Sequence, residues 1–278
     1  MRLFCAVVAV TISSLAIAPG LRAQQLKAET LHDFECYVQA AEQRMAARQA
    51  FLLADSNSAL NAKLVNGRRI ETVEANGPNP HKVAGGLIFD WIGSVFIPGV
   101  SGERTVRMLQ DYDHRAQYFT ETISASKLLC RRGDNQFHYS MRLKEPAVID
   151  VESDVVWERV DPHHWRCRSY STEVRAVGKD KGYLRRLYSY WRFAEVESGV
   201  YVEGETITMS DPFGSLMRGL GSMMGINPEK SLRHSLDSMR ETLLKPGLQF
   251  PNPPAGLPEC GEPYHPGHPE GCAVQSGH

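Results

Sequence analysis

Between residues 122 and 210 the chain reads as six strand-like runs in succession, most of them separated by a turn signal. The runs lie near 122–132, 135–145, 147–160, 163–178, 183–197 and 199–210, and Asp134-Asn135, Asp161-Pro162, Asp180-Lys181-Gly182 and Ser198-Gly199 separate most of them at hairpin distances. Side chains on a strand point to alternate faces, so each run has an inner and an outer set. Phe137, Tyr139, Met141 and Leu143 share one face, and His138, Ser140, Arg142 and Lys144 the other. Ile149, Val151, Val155 and Trp157 oppose Asp150, Glu152, Asp154 and Glu158 in the same way. This predicts an antiparallel sheet with one solvated side. In 183–197 both faces are bulky; the face carrying Leu187, Trp191 and Phe193 is read as interior, against Tyr188, Tyr190 and Arg192.

Helical spacing brackets this array. Gly86 to Ile97 is dense in β-formers and stops at Pro98-Gly99, and Ser101 then caps a helix predicted to run to about Phe119. Asn227-Pro228 opens a sharply capped helix with the stripe Leu232, Leu236, Met239 and Leu243, ended by Pro246-Gly247. Near the N-terminus, Thr30 to about Leu53 reads as an amphipathic docking helix through Phe34, Val38, Ala41 and Met45. Residues 55–85, rich in Asn and Gly, read as a short hairpin or irregular connection. The segment from 246 on is rich in Pro, Gly and His and is expected to be extended or disordered.

The order strand, helix, run of antiparallel strands, long C-terminal helix resembles the START-like (SRPBCC) superfamily of lipid-transfer proteins, plant allergens, coenzyme-Q-binding proteins and polyketide cyclases. The resemblance covers about Trp91 to Leu244 and is carried by Val106 to Tyr118, Tyr190 to Met209 and Ser231 to Leu243. It implies an α+β helix-grip fold, a curved antiparallel sheet wrapped around the long C-terminal helix, with an extra N-terminal helix. The expected organisation is a signal peptide over 1–23, an N-terminal helix and connection over 24–85, the START-like domain over 86–245 and a tail over 246–278. The resemblance further implies an apolar cavity between sheet and helix, lined by Phe137, Tyr139, Met141, Leu143, Val151, Trp191, Phe193, Leu232, Leu236 and Met239. The alternative is that these residues simply fill a core. The Gly- and Met-rich stretch with Phe213, Leu216, Met217 and Leu220 is read as a gate at the cavity mouth.

Charge and cysteine usage bound the setting. Lys and Arg (31) nearly balance Asp and Glu (32), so the basic excess that nucleic-acid binding needs is missing. Arg2, the uncharged run Leu3 to Ala18, Pro19-Gly20 and Leu21-Arg22-Ala23 read as a secretion signal, and hence as a periplasmic or secreted protein. Export permits disulfides. Of the five cysteines past the signal, Cys36, Cys130 and Cys167 read as small buried hydrophobes, and Cys260 and Cys272 as a disulfide. The alternative for the latter two is a Zn²⁺ site with His265 and His268, although that spacing matches no common finger.

No nucleophile elbow, P-loop, dinucleotide fingerprint or His-Glu-x-x-His pair occurs. Glu203 and Glu205 share a strand face with Tyr201 and Ile207; they are read as solvated rather than as an acid–base pair. Asp111, Asp113 and His114 are read as a solvated helix end, and Asp161 to His164 as a turn. The sequence thus predicts an exported protein that binds or transfers a hydrophobic small molecule of lipid or isoprenoid class, with transient membrane contact, no cofactor and no metal. The alternatives are a cyclase- or hydrolase-like enzyme in the same cavity and a pocketless interaction module of the cell envelope.

Overall fold

Nine strands, every neighbouring pair antiparallel, form one sheet in the order β1-β3-β9-β8-β7-β6-β5-β4, with β2 also paired to β3. They are β1 (Glu71–Glu74), β2 (His81–Val83), β3 (Gly86–Pro98), β4 (Ile123–Arg132), β5 (Gln136–Leu143), β6 (Ile149–Arg159), β7 (His164–Ala176), β8 (Leu184–Val196) and β9 (Gly199–Ser210). This computed structural model describes residues 27–66, 69–144, 147–177, 183–212 and 227–272. The expected signal peptide and the expected gate residues Phe213, Leu216, Met217 and Leu220 fall outside them.

The inner face of the sheet grips helix α6 (Pro228–Leu244), whose start is fixed as the sequence implies: the Asn227 side chain accepts a hydrogen bond from the Lys230 N–H at 3.0 Å. Leu232, Leu236, Met239 and Leu243 are all buried against the sheet. Two glycines set how closely helix and sheet meet. Gly93 and Gly204 lie directly opposite each other on β3 and β9. A Cβ on Gly93 would stand 2.7 Å from Leu236 Cδ1, and one on Gly204 would stand 2.5 Å from the Trp191 ring. Bare backbone at these positions admits the helix on one side and the indole beside it.

The outer face departs from expectation. It was expected to be solvated, and on β5 and β6 it is charged, with His138 on Asp154 at 2.7 Å and Arg142 on Asp150. Over β3 and β7 to β9, however, helix α1 (Ala28–Ala47) lies on it. Phe34, Tyr37, Val38 and Ala41 pack with Ile88, Tyr170, Tyr188, Tyr190, Ile207 and Met209. The two bulky faces of β8 thus have two covers: α6 and the interior on the Trp191 side, α1 on the Tyr188 side.

Three local expectations are corrected. The helix predicted from Ser101 to Phe119 is broken into α4 (Gly102–Gln110), a 3-10 turn (Tyr112–His114) and α5 (Arg115–Tyr118), because Asp111 leaves helical geometry. Its carboxylate is 5% exposed, sits 2.7 Å from His114 Nδ1 and accepts from the Tyr118 hydroxyl, while Asp113 accepts from the Leu128 N–H at 2.9 Å. These acids pin a turn to β4 rather than decorating a solvated helix end. Residues 55–85 form more regular structure than an irregular connection: α2 (Leu53–Ser56) is followed by α3 (Ser58–Val65), then by β1 and β2 on the sheet edge.

The third correction concerns sulfur. Cys36 is bonded to Cys272 and Cys130 to Cys260, so the expected Cys260–Cys272 bond and the zinc alternative both fail. Cys36 and Cys130 are not plain buried hydrophobes, whereas Cys167 is free and buried. The tail runs along the folded body instead of looping on itself. Arg131 N–H donates to the Pro258 carbonyl and Cys260 N–H to the Arg131 carbonyl, so the tail covers the free edge of β4. Tyr264 N–H donates to Asp154 farther along.

Candidate functional site

Between the inner face and α6 lies a cavity of about 280 Å³, near the lower end of the roughly 300–1,000 Å³ usual for small-molecule sites. Six residues expected to line it do so: Tyr139, Met141, Leu143, Trp191, Leu232 and Met239. Four others serve as packing. Phe137, Phe193 and Leu236 are fully or nearly fully buried in the main core, and Val151 packs with Ile149 and Leu184.

The wall also carries a band of hydroxyls. Ser153 of β6, Ser169 of β7, Ser189 of β8 and Thr206, Thr208 and Ser210 of β9 all face the cavity. Ser169, Ser189 and Thr206 are in direct register across three strands, and the Tyr139 hydroxyl lies 3.4 Å from Ser169 Oγ. Thr208 Oγ1 and Ser210 Oγ are buried with no hydrogen-bond partner. Sequence alternation did carry this signal: Ser153 is in phase with Val151 and Val155, and Ser189 with Leu187 and Trp191. Selecting the apolar members of each inner face passed over it.

Deeper in the cavity, Arg115 lies over the rings of Tyr112 and Tyr139, at 4.5 and 4.6 Å from their centroids. The break at Asp111 places it there, since α5 starts at Arg115 and turns back beneath the sheet. Tyr112 is 1% exposed and accepts from the Trp157 indole N–H at 2.9 Å, and burial raises its phenol far above the ordinary value. Burial likewise pushes the neighbouring Cys167 thiol up to about 12, so it stays protonated and inert at neutral pH.

Glu203 and Glu205 are a correction of a different kind. They are not solvated, being 5% and 6% exposed, and they lie on the face away from the cavity, beneath α1 and the segment that follows it. Glu203 takes Arg48 Nη2 at 2.5 Å and the Leu53 N–H at 2.6 Å, and desolvation raises its acid all the same. Arg44 bridges Glu205 and Asp90, and Tyr37 donates to Asp90 at 3.0 Å. Desolvation, reinforced by the Asp90 charge, pushes Glu205 up to about 8 against the pull of Arg44. Asp90, fully buried, is raised by burial as well. Among the described residues Asp90 Oδ1 has no hydrogen-bond partner, and Asp90 and Glu205 share the single Arg44 guanidinium, so a proton kept on the raised Glu205 acid relieves the repulsion between them. This cluster clamps α1 to the sheet; it does not reach the cavity and supplies no acid–base pair there. The one carboxylate on the cavity wall among the described residues is Glu121, paired with His234 at 3.0 Å. Among these residues no three His, Cys, Asp or Glu side chains converge as a metal site.

No family model matches the chain, and no curated protein matches it. Among solved structures it is similar to the STAR-related lipid transfer protein of Xanthomonas axonopodis, at 16% identity over 60% of this chain and 98% of that one, with a TM-score of 0.45. It is also similar to the Zhui aromatase/cyclase of Streptomyces sp. R1128 (10% identity, 55% and 92% covered, TM-score 0.45) and to human STARD10 (11%, 71% and 82%, 0.42). Lipid transfer and aromatase/cyclase activity are properties of those proteins.

Proposed function

We propose that this chain is an exported protein that binds and carries a hydrophobic small molecule, of lipid or isoprenoid class, in the cavity between the sheet and α6. The observation that carries the reading is the cavity itself. Its wall joins Met141, Leu143, Trp191, Leu232 and Met239 to serine and threonine residues of β6 to β9, the mixture of apolar surface and a few polar groups that small-molecule sites use. Two disulfides fit an oxidising compartment, and among the described residues no helix is long and apolar enough to cross a membrane. Carriage needs no reaction, only a cavity that admits and releases its guest.

The test is to purify the mature protein, extract it with organic solvent and identify what is released by mass spectrometry. A hydrophobic compound near one per protein is expected. Ser189→Trp, which fills the cavity from the β8 wall, is expected to lose it while keeping its thermal transition. No bound compound, together with no difference between the two proteins in uptake of an apolar fluorophore, overturns the reading.

A further inference from the structure

Arg115 is a permanent charge in a place that does not neutralise it. Its guanidinium has five N–H donors; Nη2 donates to the Leu109 carbonyl at 2.7 Å, and Nε is buried with no partner. Among the described residues no acid forms an ion pair with it. Asp111 is engaged by His114 and Tyr118, Asp113 by the Leu128 N–H, and Glu121 by His234. The groups around it are neutral: the Tyr112 and Tyr139 rings lie 4.5 and 4.6 Å from its guanidinium carbon, and the Cys167 thiol is held protonated by burial. The nearby rings offset part of the cost of placing a cation there, but among the described residues Nε has no acceptor. Arg115 also lines the cavity.

We infer that the molecule this cavity takes is an amphiphilic acid, whose carboxylate meets Arg115 while its apolar body lies along Trp191, Leu232 and Met239. The inference rests on the cavity reading above and narrows it. A carboxylate accepts charge-assisted N–H bonds from a guanidinium, and Arg115 is a cation on the cavity wall that has no acid partner among the described residues. A cavity of about 280 Å³ suits one chain or one small ring system better than a two-chain phospholipid.

The experiment compares dodecanoic acid, its methyl ester and dodecanol, each displacing an apolar fluorophore from the intact protein. A charge-assisted pair predicts that the acid binds about ten- to a hundred-fold tighter than the alcohol at neutral pH. In Arg115→Met the ratio of acid to alcohol affinity is expected to fall to about one, and in Arg115→Lys the gap is expected to shrink. A second readout needs no variant: in the wild type the gap closes as the pH falls below the range where dodecanoic acid ionises. Acid and alcohol binding equally well to the wild type, or a preference that survives in Arg115→Met, overturns the inference and leaves the carrier reading standing. If none of the three displaces a fluorophore that does bind, the inference falls and the carrier reading stands; if the fluorophore itself does not bind, the carrier reading falls as well.

Discussion

Replacing Glu205 by Gln tests the buried acid pair directly. Glu205 is almost completely buried and rises from an ordinary 4.5 to about 8, through desolvation first and the Asp90 charge second. The folded protein therefore holds a proton that the unfolded chain releases. For an acid raised in this way, stability is fully present below the unfolded value and is lost as the pH climbs towards the folded one. Each pH unit between them removes about 1.4 kcal/mol, so the wild type loses on the order of 4 kcal/mol from pH 5 to pH 8 through this pair and little more above it. Gln keeps a carbonyl for Arg44 and an N–H for Asp90 and has no proton to lose. Urea unfolding followed by tryptophan fluorescence at a series of pH values gives the comparison. Glu205→Gln is expected to show a smaller decline over that range and to be the more stable protein at pH 9. Parallel curves for the two proteins would refute the shared proton, and with it the account of how α1 is held.

Three further outcomes follow from other contacts. Gly204→Val puts methyl groups where the Trp191 ring lies 2.5 Å from a bare Cβ position; it is expected to cost about 1–3 kcal/mol, read as a lower urea midpoint, and to weaken fluorophore uptake by pushing the indole into the cavity. Peptide mapping without reduction is expected to recover Cys36 joined to Cys272 and Cys130 joined to Cys260, and Cys36→Ser to lose about 2–4 kcal/mol; a Cys260–Cys272 peptide would contradict the path of the tail. His138 is raised by its hydrogen bond to Asp154, against burial, so its contribution is present below about 6.5 and fades as the pH rises through the folded value; the stability difference between wild type and His138→Gln should shrink between pH 6 and pH 9.

Strand positions were legible because a sheet with one face on a core imposes a two-residue period, and each of the six runs from 122 to 210 has ends within two residues of its strand. The cap at Asn227 was legible because its chemistry is local. What escaped the sequence was decided by partners far along the chain. Alternation shows that Glu203 and Glu205 share a face but not that α1, some 160 positions earlier, brings Arg44 and Arg48 to cover them. The same limit hid the outer cover of β8, since Tyr188 and Tyr190 announce a buried face without naming what buries it. Cysteine pairing failed for the same reason: short spacing favours Cys260 with Cys272, but the extended tail carries each to a different element. Arg115 was visible only as a charged residue on a predicted helix, and the non-helical backbone at Asp111 is what turns it inward.

Because Cys36–Cys272 encloses Cys130–Cys260, the two cross-links are nested and neither threads the other. The oxidised chain is in effect a covalent ring, so one protease cut between residues 36 and 272 opens a gap without releasing a fragment until a reductant is added. The outer link also cannot form before residue 272 has been made, so the first helix is locked in place only after the tail exists.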